Sequence, residues 1–168
     1  VPPIAFQDRG VYLITGGLGG LGVLFAKEIL EQTGDARVVL TGRSALTAEK
    51  QAFLGGLSSR VSYRQLDLGN LDEVTQLIDG IRHEHGQLDG ILHCAGMIAD
   101  SFIVRKTGAQ FAGVLAPKVA GTFHLDQASR DVPLDFFVLF SSIAGAMGNL
   151  GQADYATANG FMDQFAAY

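Results

Sequence analysis

Apolar positions along this 168-residue chain fall into short blocks and longer periodic stretches that alternate. Val11 to Thr15 is a brief β-rich run stopped by glycine, and positions 18–32 then space apolar side chains at the 3.6-residue period of a helix. Val38, Val39 and Leu40 predict a second buried strand, followed by a helix over about 48–54 that Gly55 and Gly56 close. Positions 61–66 read as a third strand. Leu71, Val74, Leu77, Ile78 and Ile81 then line one face of an amphipathic helix ending near Gly86. A fourth strand spans 90–94, and a helix follows over roughly 110–129, where Pro117 removes a backbone donor and predicts a kink. Positions 136–140 form the fifth strand, bordered by Ser141 and Ser142, and Phe161, Met162 and Phe165 mark a last helix that runs to Tyr168.

Strands that are apolar on both sides and alternate with helices predict a parallel sheet covered on both faces, a doubly wound α/β fold of the Rossmann type. The first ten residues carry Pro2 and Pro3 and no period, so positions 1–10 read as a linker from an upstream domain and 11–168 as the domain itself.

Composition narrows the function classes. With 48% hydrophobic and 17% charged residues the chain can build a core, and its net charge of -5 with 12 scattered Lys and Arg predicts no nucleic-acid partner. The single cysteine, Cys94, excludes an intrachain disulfide and any multi-cysteine metal motif, which fits a cytoplasmic setting and no metal. Apolar stretches break well before the ~20 residues that span a bilayer, so no membrane partner is expected.

The chemistry begins after the first strand, at Thr15-Gly16-Gly17-Leu18-Gly19-Gly20-Leu21-Gly22. This run satisfies both Gly17-x-Gly19-x-x-Gly22 and Gly16-x-x-x-Gly20-x-Gly22, and it sits between a predicted strand and a predicted helix. Missing side chains there let backbone N–H groups approach a pyrophosphate at the positive end of the helix. About 20 residues on, where an NAD-binding domain places a carboxylate on the ribose 2′-hydroxyl, this chain has Arg43 and Ser44. A guanidinium forking onto a 2′-phosphate, helped by a hydroxyl, predicts NADPH. Asp67 and Leu68 follow the third strand, placed either to meet the adenine edge or, for Asp67, to cap the next helix. Ala95 and Gly96 follow the fourth and are small enough to let the chain pass under a cofactor.

Tyr155-x-x-x-Asn159, preceded by Ser141-Ser142 and by Lys118 on the Pro117 helix, resembles the ketoreductase domains of bacterial modular type I polyketide synthases, a branch of the short-chain dehydrogenase/reductase superfamily. The resemblance runs from about Gly10 to Tyr168. Other members of that superfamily carry Tyr-x-x-x-Lys with an asparagine on the preceding helix, and this branch exchanges the two.

The resemblance implies reduction of a 3-oxoacyl thioester carried on the phosphopantetheine arm of an acyl carrier protein, alongside neighbouring synthase domains. Tyr155 would be the proton donor, Ser142 a second hydrogen-bond donor to the same oxygen, and Lys118 the ammonium that favours the phenolate. Asn159, one helical turn beyond Tyr155, would orient Lys118 or a water. Ser142 is preferred over Ser141 because the family register places its serine thirteen residues before the tyrosine.

In this family a Leu-Asp-Asp motif after the fourth strand accompanies B-type reduction to the D-hydroxyl, and a tryptophan eight residues before the tyrosine accompanies the A type. Here the stretch is Ile98-Ala99-Asp100 and the tryptophan position is Met147, which implies B type. The family also places two strands and a lid helix after the tyrosine helix; the sequence to Tyr168 supplies none, so a C-terminally incomplete domain is expected. Two other functions compete. An extended-branch epimerase or dehydratase shares the glycine loop but not Asn159, and a silent nucleotide-binding scaffold would not need Tyr155, Ser142 and Lys118 together.

Overall fold

A computed structural model describes residues 6–168. Five strands, β1 (Val11–Thr15), β2 (Arg37–Gly42), β3 (Val61–Gln65), β4 (Gly90–His93) and β5 (Phe136–Leu139), pair in parallel in the order β3-β2-β1-β4-β5. Between them run α1 (Gly20–Gln32), α2 (Ala48–Leu57), α3 (Leu71–His85) and α4 (Gly108–Ser129), and after β5 come α5 (Ile143–Met147) and α6 (Ala153–Ala167). This is the predicted doubly wound α/β fold.

The side-chain period of two explains why β1 is apolar throughout. Val11 and Leu13 point to a cluster that includes Val74, Ile78 and Ile81 of α3 and Leu125 of α4. Tyr12 and Ile14 point to the opposite cluster, with Ala26 and Ile29 of α1 and Leu54 of α2. Both faces of the strand are therefore dry, as parallel sheets with crossover helices require. Chain order reverses at β1, whose neighbours are β2 on one side and β4 on the other, so a crevice opens beyond the carboxyl ends of β1 and β4.

Element ends differ from expectation where tertiary contacts intervene. Helix α2 continues through Gly55 and Gly56 to Leu57, which packs on the α1-side cluster. Each glycine costs about 1 kcal/mol relative to alanine, a penalty the packed Leu54 and Leu57 offset. The capping role open to Asp67 belongs to Asn70, whose side chain accepts from the N–H groups of Asp72 and Glu73. Gly86 ends α3 as expected, in the left-handed conformation at φ 78°. Helix α4 starts earlier than predicted, at Gly108, on a reciprocal cap between Thr107 and Gln110, and continues through Pro117 as one helix. Helix α5 and a 3₁₀ turn at Ile103–Arg105 were too short for periodicity to reveal.

Of the stretch read as a linker, residues 1–5 lie outside the described residues. Phe6 stacks edge-on against Tyr12 and Phe136, and the Asp8 carbonyl accepts from the Asp35 N–H, so positions 6–10 lie against the body of the domain. Among the described residues no helix is long and apolar enough to cross a membrane.

Candidate active site

The turn from β1 into α1 is shaped by what glycine avoids. Gly16 sits at φ 64°, where a Cβ would lie 2.8 Å from the Ala95 backbone. A Cβ on Gly22 would lie 2.6 Å from Gly17 Cα, and one on Gly17 equally near the Leu40 side chain. These three glycines are demanded by the protein's own packing. Gly19 and Gly20 are exposed, and nothing lies within 4 Å of a Cβ on Gly20. The α1 N-terminus carries no side-chain cap, so its first N–H groups face the crevice free. Room, backbone donors and the helix dipole converge there, which fits a pyrophosphate.

Two adjoining cavities continue from this turn. One is lined by residues that include Gly16, Arg43, Asp67, Leu68, Ala95 and Gly96. The other shares Gly16, Arg43 and Gly96 and adds Ser44, Lys50, Tyr63 and Cys94. The Arg43 backbone is held by Gln65 Nε2 donating to its carbonyl at 2.9 Å, and Ser44 by the Tyr63 hydroxyl donating to its carbonyl at 2.6 Å. Among the described residues the Arg43 guanidinium meets only Met97 Sδ, at 3.7 Å. No carboxylate lines the second cavity, and Lys50, which sequence reasoning missed, brings a second cation to it. The site thus fits a dinucleotide bearing a 2′-phosphate. Asp67, exposed at the first cavity, turns one carboxylate oxygen back onto the Gly69 N–H at 2.9 Å.

Thr15, read as part of the cofactor turn, has its hydroxyl engaged within the protein. It is fully buried, with its hydroxyl 2.6 Å from His93 Nδ1 and accepting from the Ala95 N–H at 3.4 Å. Its hydroxyl ties β1 to β4 beneath the turn.

Beyond Gly96 the crevice widens into a cleft of about 390 Å³ lined by Leu21, Cys94, Gly96, Met97, Ile98, Lys118, Phe140, Ser141 and Tyr155. Lys118 is 4% exposed, a buried cation at the cleft wall. Its ammonium donates to the Phe140 carbonyl at 2.8 Å, meets Met162 Sδ at 3.5 Å and lies 5.8 Å from the centroid of the Tyr155 ring. Burial pushes the Lys118 pKa down, opposed by Cys94 and Asp163. Burial pushes the Cys94 thiol up to about 12, against the pull of Lys118. Gly96 is needed for this arrangement, since a Cβ there would stand 2.9 Å from Lys118 Cε.

Ser142 caps α5, its Oγ accepting from the Ala144 N–H at 3.2 Å. Accepting as a cap leaves its O–H free to donate, so cap and catalytic roles are compatible. Ser141 donates to the Asn159 carbonyl at 3.2 Å. Asn159 lies on the Tyr155 face of α6, fully buried, but its amide nitrogen donates to the Tyr155 carbonyl at 2.7 Å and not toward Lys118. Its Oδ1 has no partner among the described residues.

Asp100 is exposed, and Gln152 Nε2 donates to both its carboxylate oxygens at 3.0 Å. Met147, at the end of α5, is 78% exposed. Sequence reasoning also missed a buried ion pair, Lys106 Nζ to Asp154 Oδ2 at 2.7 Å, between residues 48 positions apart. No local pattern signals a pair at that separation.

The description "KR domain" belongs to the family whose profile matches residues 10–168. The polyketide synthases PksN and PksL of Bacillus subtilis (strain 168) are 55% and 54% identical over 166 residues. Each alignment covers 97% of this chain, which spans only 3% and 4% of those two proteins. A crystal structure of a ketoreductase domain from the bacillaene assembly line superposes with a TM-score of 0.95 at 51% identity, over 99% of this chain and 40% of that one.

Proposed function

The chain belongs to the KR domain family, the ketoreductases of polyketide synthases, and on that premise we propose that it reduces the 3-oxo group of an acyl-carrier-protein-bound thioester with NADPH. The product is the 3-hydroxyacyl thioester with the D configuration of the B type. The observation that carries this reading is Lys118: a buried ammonium beside the Tyr155 ring, in the cleft that continues from the glycine turn.

When bound, the nicotinamide supplies the hydride that adds to the carbonyl carbon. The protein's own residues manage the oxygen. Tyr155 donates a hydrogen bond to it and gives up the phenolic proton as the alkoxide forms. The Lys118 charge favours the phenolate that remains, and the Phe140 carbonyl and Met162 hold that ammonium in place. The free Ser142 O–H supplies a second donor, and losing one such donor costs about 3 kcal/mol in the transition state. Asn159 fixes the Tyr155 turn of α6 through the backbone carbonyl.

Arg43, Ser44 and Lys50 around a cavity without a carboxylate support NADPH over NADH. Asp100, held by Gln152 two residues beyond the cleft-lining Ile98, supports the B-type outcome. The acyl carrier protein and neighbouring synthase domains are the partners, in the cytoplasm.

The test is reduction of a 3-oxoacyl N-acetylcysteamine thioester by the full-length natural chain. Tyr155→Phe is expected to lower kcat by about 10²–10⁴ while NADPH affinity is retained, and a fully active variant would overturn the mechanism. Arg43→Ala is expected to weaken NADPH more than NADH; equal losses would sink the cofactor assignment.

A further inference from the structure

The segment from Cys94 to Thr107 joins β4 to α4 and carries Gly96, Met97 and Ile98 into the cleft wall, with Asp100 two residues further along. Burial does not hold it. Ile98, Phe102, Ile103 and Val104 are all exposed, and the only regular structure is the turn at Ile103–Arg105.

Three links tie the segment to the start of α6. The Ser101 N–H donates to the Gly151 carbonyl at 2.9 Å, Gln152 holds Asp100, and Lys106 holds Asp154. Water competes with an exposed contact such as the Gln152–Asp100 clamp and weakens it. The third link differs, because the Lys106 and Asp154 side chains are only 2% and 1% exposed.

Every strong contact of this pair leads to the site. Lys106 Nζ donates to the Ala99 carbonyl at 2.5 Å, one residue before Asp100, and to Asp154 Oδ2 at 2.7 Å. Asp154 Oδ1 accepts the Tyr155 N–H at 2.9 Å. A continuous path thus runs from the Ala99 carbonyl through two buried charges to the backbone of the candidate proton donor. Buried ion pairs are a poor source of stability, because desolvation consumes most of their attraction. A directional path between two parts of one site gives the pair a different use.

We propose that Lys106 and Asp154 are positioning residues that set the Ala99–Asp100 loop against Tyr155, and that this spacing decides which face of the 3-oxo group is reduced. The proposal rests on the ketoreductase reading. Its physical basis is that hydride arrives from a fixed side, so the loop opposite Tyr155 selects the face by where it lets the acyl chain lie. A displacement of an ångström there changes both rate and selectivity.

The experiment compares Lys106→Met, Asp154→Asn, Lys106→Arg and the double variant Lys106→Met/Asp154→Leu in the full-length natural chain. Hydrogen–deuterium exchange is the arm that needs no turnover. Faster exchange is expected in Lys106→Met and Asp154→Asn over residues 97–105 and the first turn of α6, with β1 unchanged. In the reductase assay, Lys106→Met is expected to lower kcat by roughly 10- to 100-fold and the ratio of the two 3-hydroxy enantiomers by about tenfold, with the NADPH Kd within about twofold. Lys106→Arg, which keeps the charge, should restore most of both.

The double variant keeps the site filled without an unpaired charge, so it separates positioning from folding. If it is stable and reduces with the parent rate and enantiomer ratio, or if exchange in the loop does not change in the single variants, the proposal is overturned. An inactive parent chain would instead remove the ketoreductase reading, leaving the exchange result to judge the positioning link.

Discussion

Lowering the pH from 7 to 5 should cost this protein stability through one residue, His93. It ends β4 fully buried, with Nδ1 2.6 Å from the Thr15 hydroxyl and Nε2 without a partner among the described residues. Burial first, and the nearby Lys118 ammonium second, lower its pKa from 6.5 to about 4. At pH 7 the imidazole is neutral in both folded and unfolded chains. As pH falls through 6.5 the unfolded chain takes up a proton that the native state refuses until about pH 4, so the unfolded state gains. Each pH unit in that window is worth about 1.4 kcal/mol, so by pH 5 the loss attributable to His93 is about 2 kcal/mol. His93→Asn retains a polar atom near the Nδ1 position and removes the titration. Its cavity cost is the same at both pH values, so the pH-dependent difference isolates the proton. Urea unfolding followed by circular dichroism at pH 7 and pH 5 should show the parent losing about 2 kcal/mol more than the variant. If the two lose stability in parallel, His93 does not carry a depressed pKa and the reasoning fails.

Other outcomes follow from the same geometry. Gly16→Ala places a Cβ against the Ala95 backbone at positive φ, and left-handed backbone alone costs about 1–2 kcal/mol, so thermal unfolding should show a loss above 2 kcal/mol. Gly20→Ala, at the first residue of α1, meets nothing within 4 Å, so the same measurement should show no loss. Cys94, with its thiol pushed up to about 12, should alkylate with iodoacetamide at pH 8 at least about 100-fold more slowly than free cysteine. Mass spectrometry reads that rate, and labelling at the free-thiol rate would contradict the burial argument.

Much of this protein is legible along the chain because the deciding terms are local. The apolar run of β1, the face of α3 and the strand–glycine–helix order each depend on residues within a turn or two of one another. The spacing of four also puts Asn159 on the Tyr155 face of α6, although its amide meets the Tyr155 carbonyl where the sequence reading had it orient Lys118 or a water. Where local chemistry misled, long-range packing had prevailed. Gly55 and Gly56 signal a helix end, yet Leu57 packs and the helix continues. Thr15 reads as part of a phosphate turn, yet β4 claims its hydroxyl through His93.

The family was legible in the sequence: tyrosine, serine, lysine and asparagine combine with a glycine turn in a pattern that few families share. Tertiary structure alone decided which charges are buried. Lys118 becomes a dry ammonium only because α4 packs beneath the end of β5 and against α6, and Lys106 meets Asp154 only because the β4 segment folds onto the start of α6. Desolvation depends on atoms brought from distant parts of the chain, and no window of neighbouring residues contains that information.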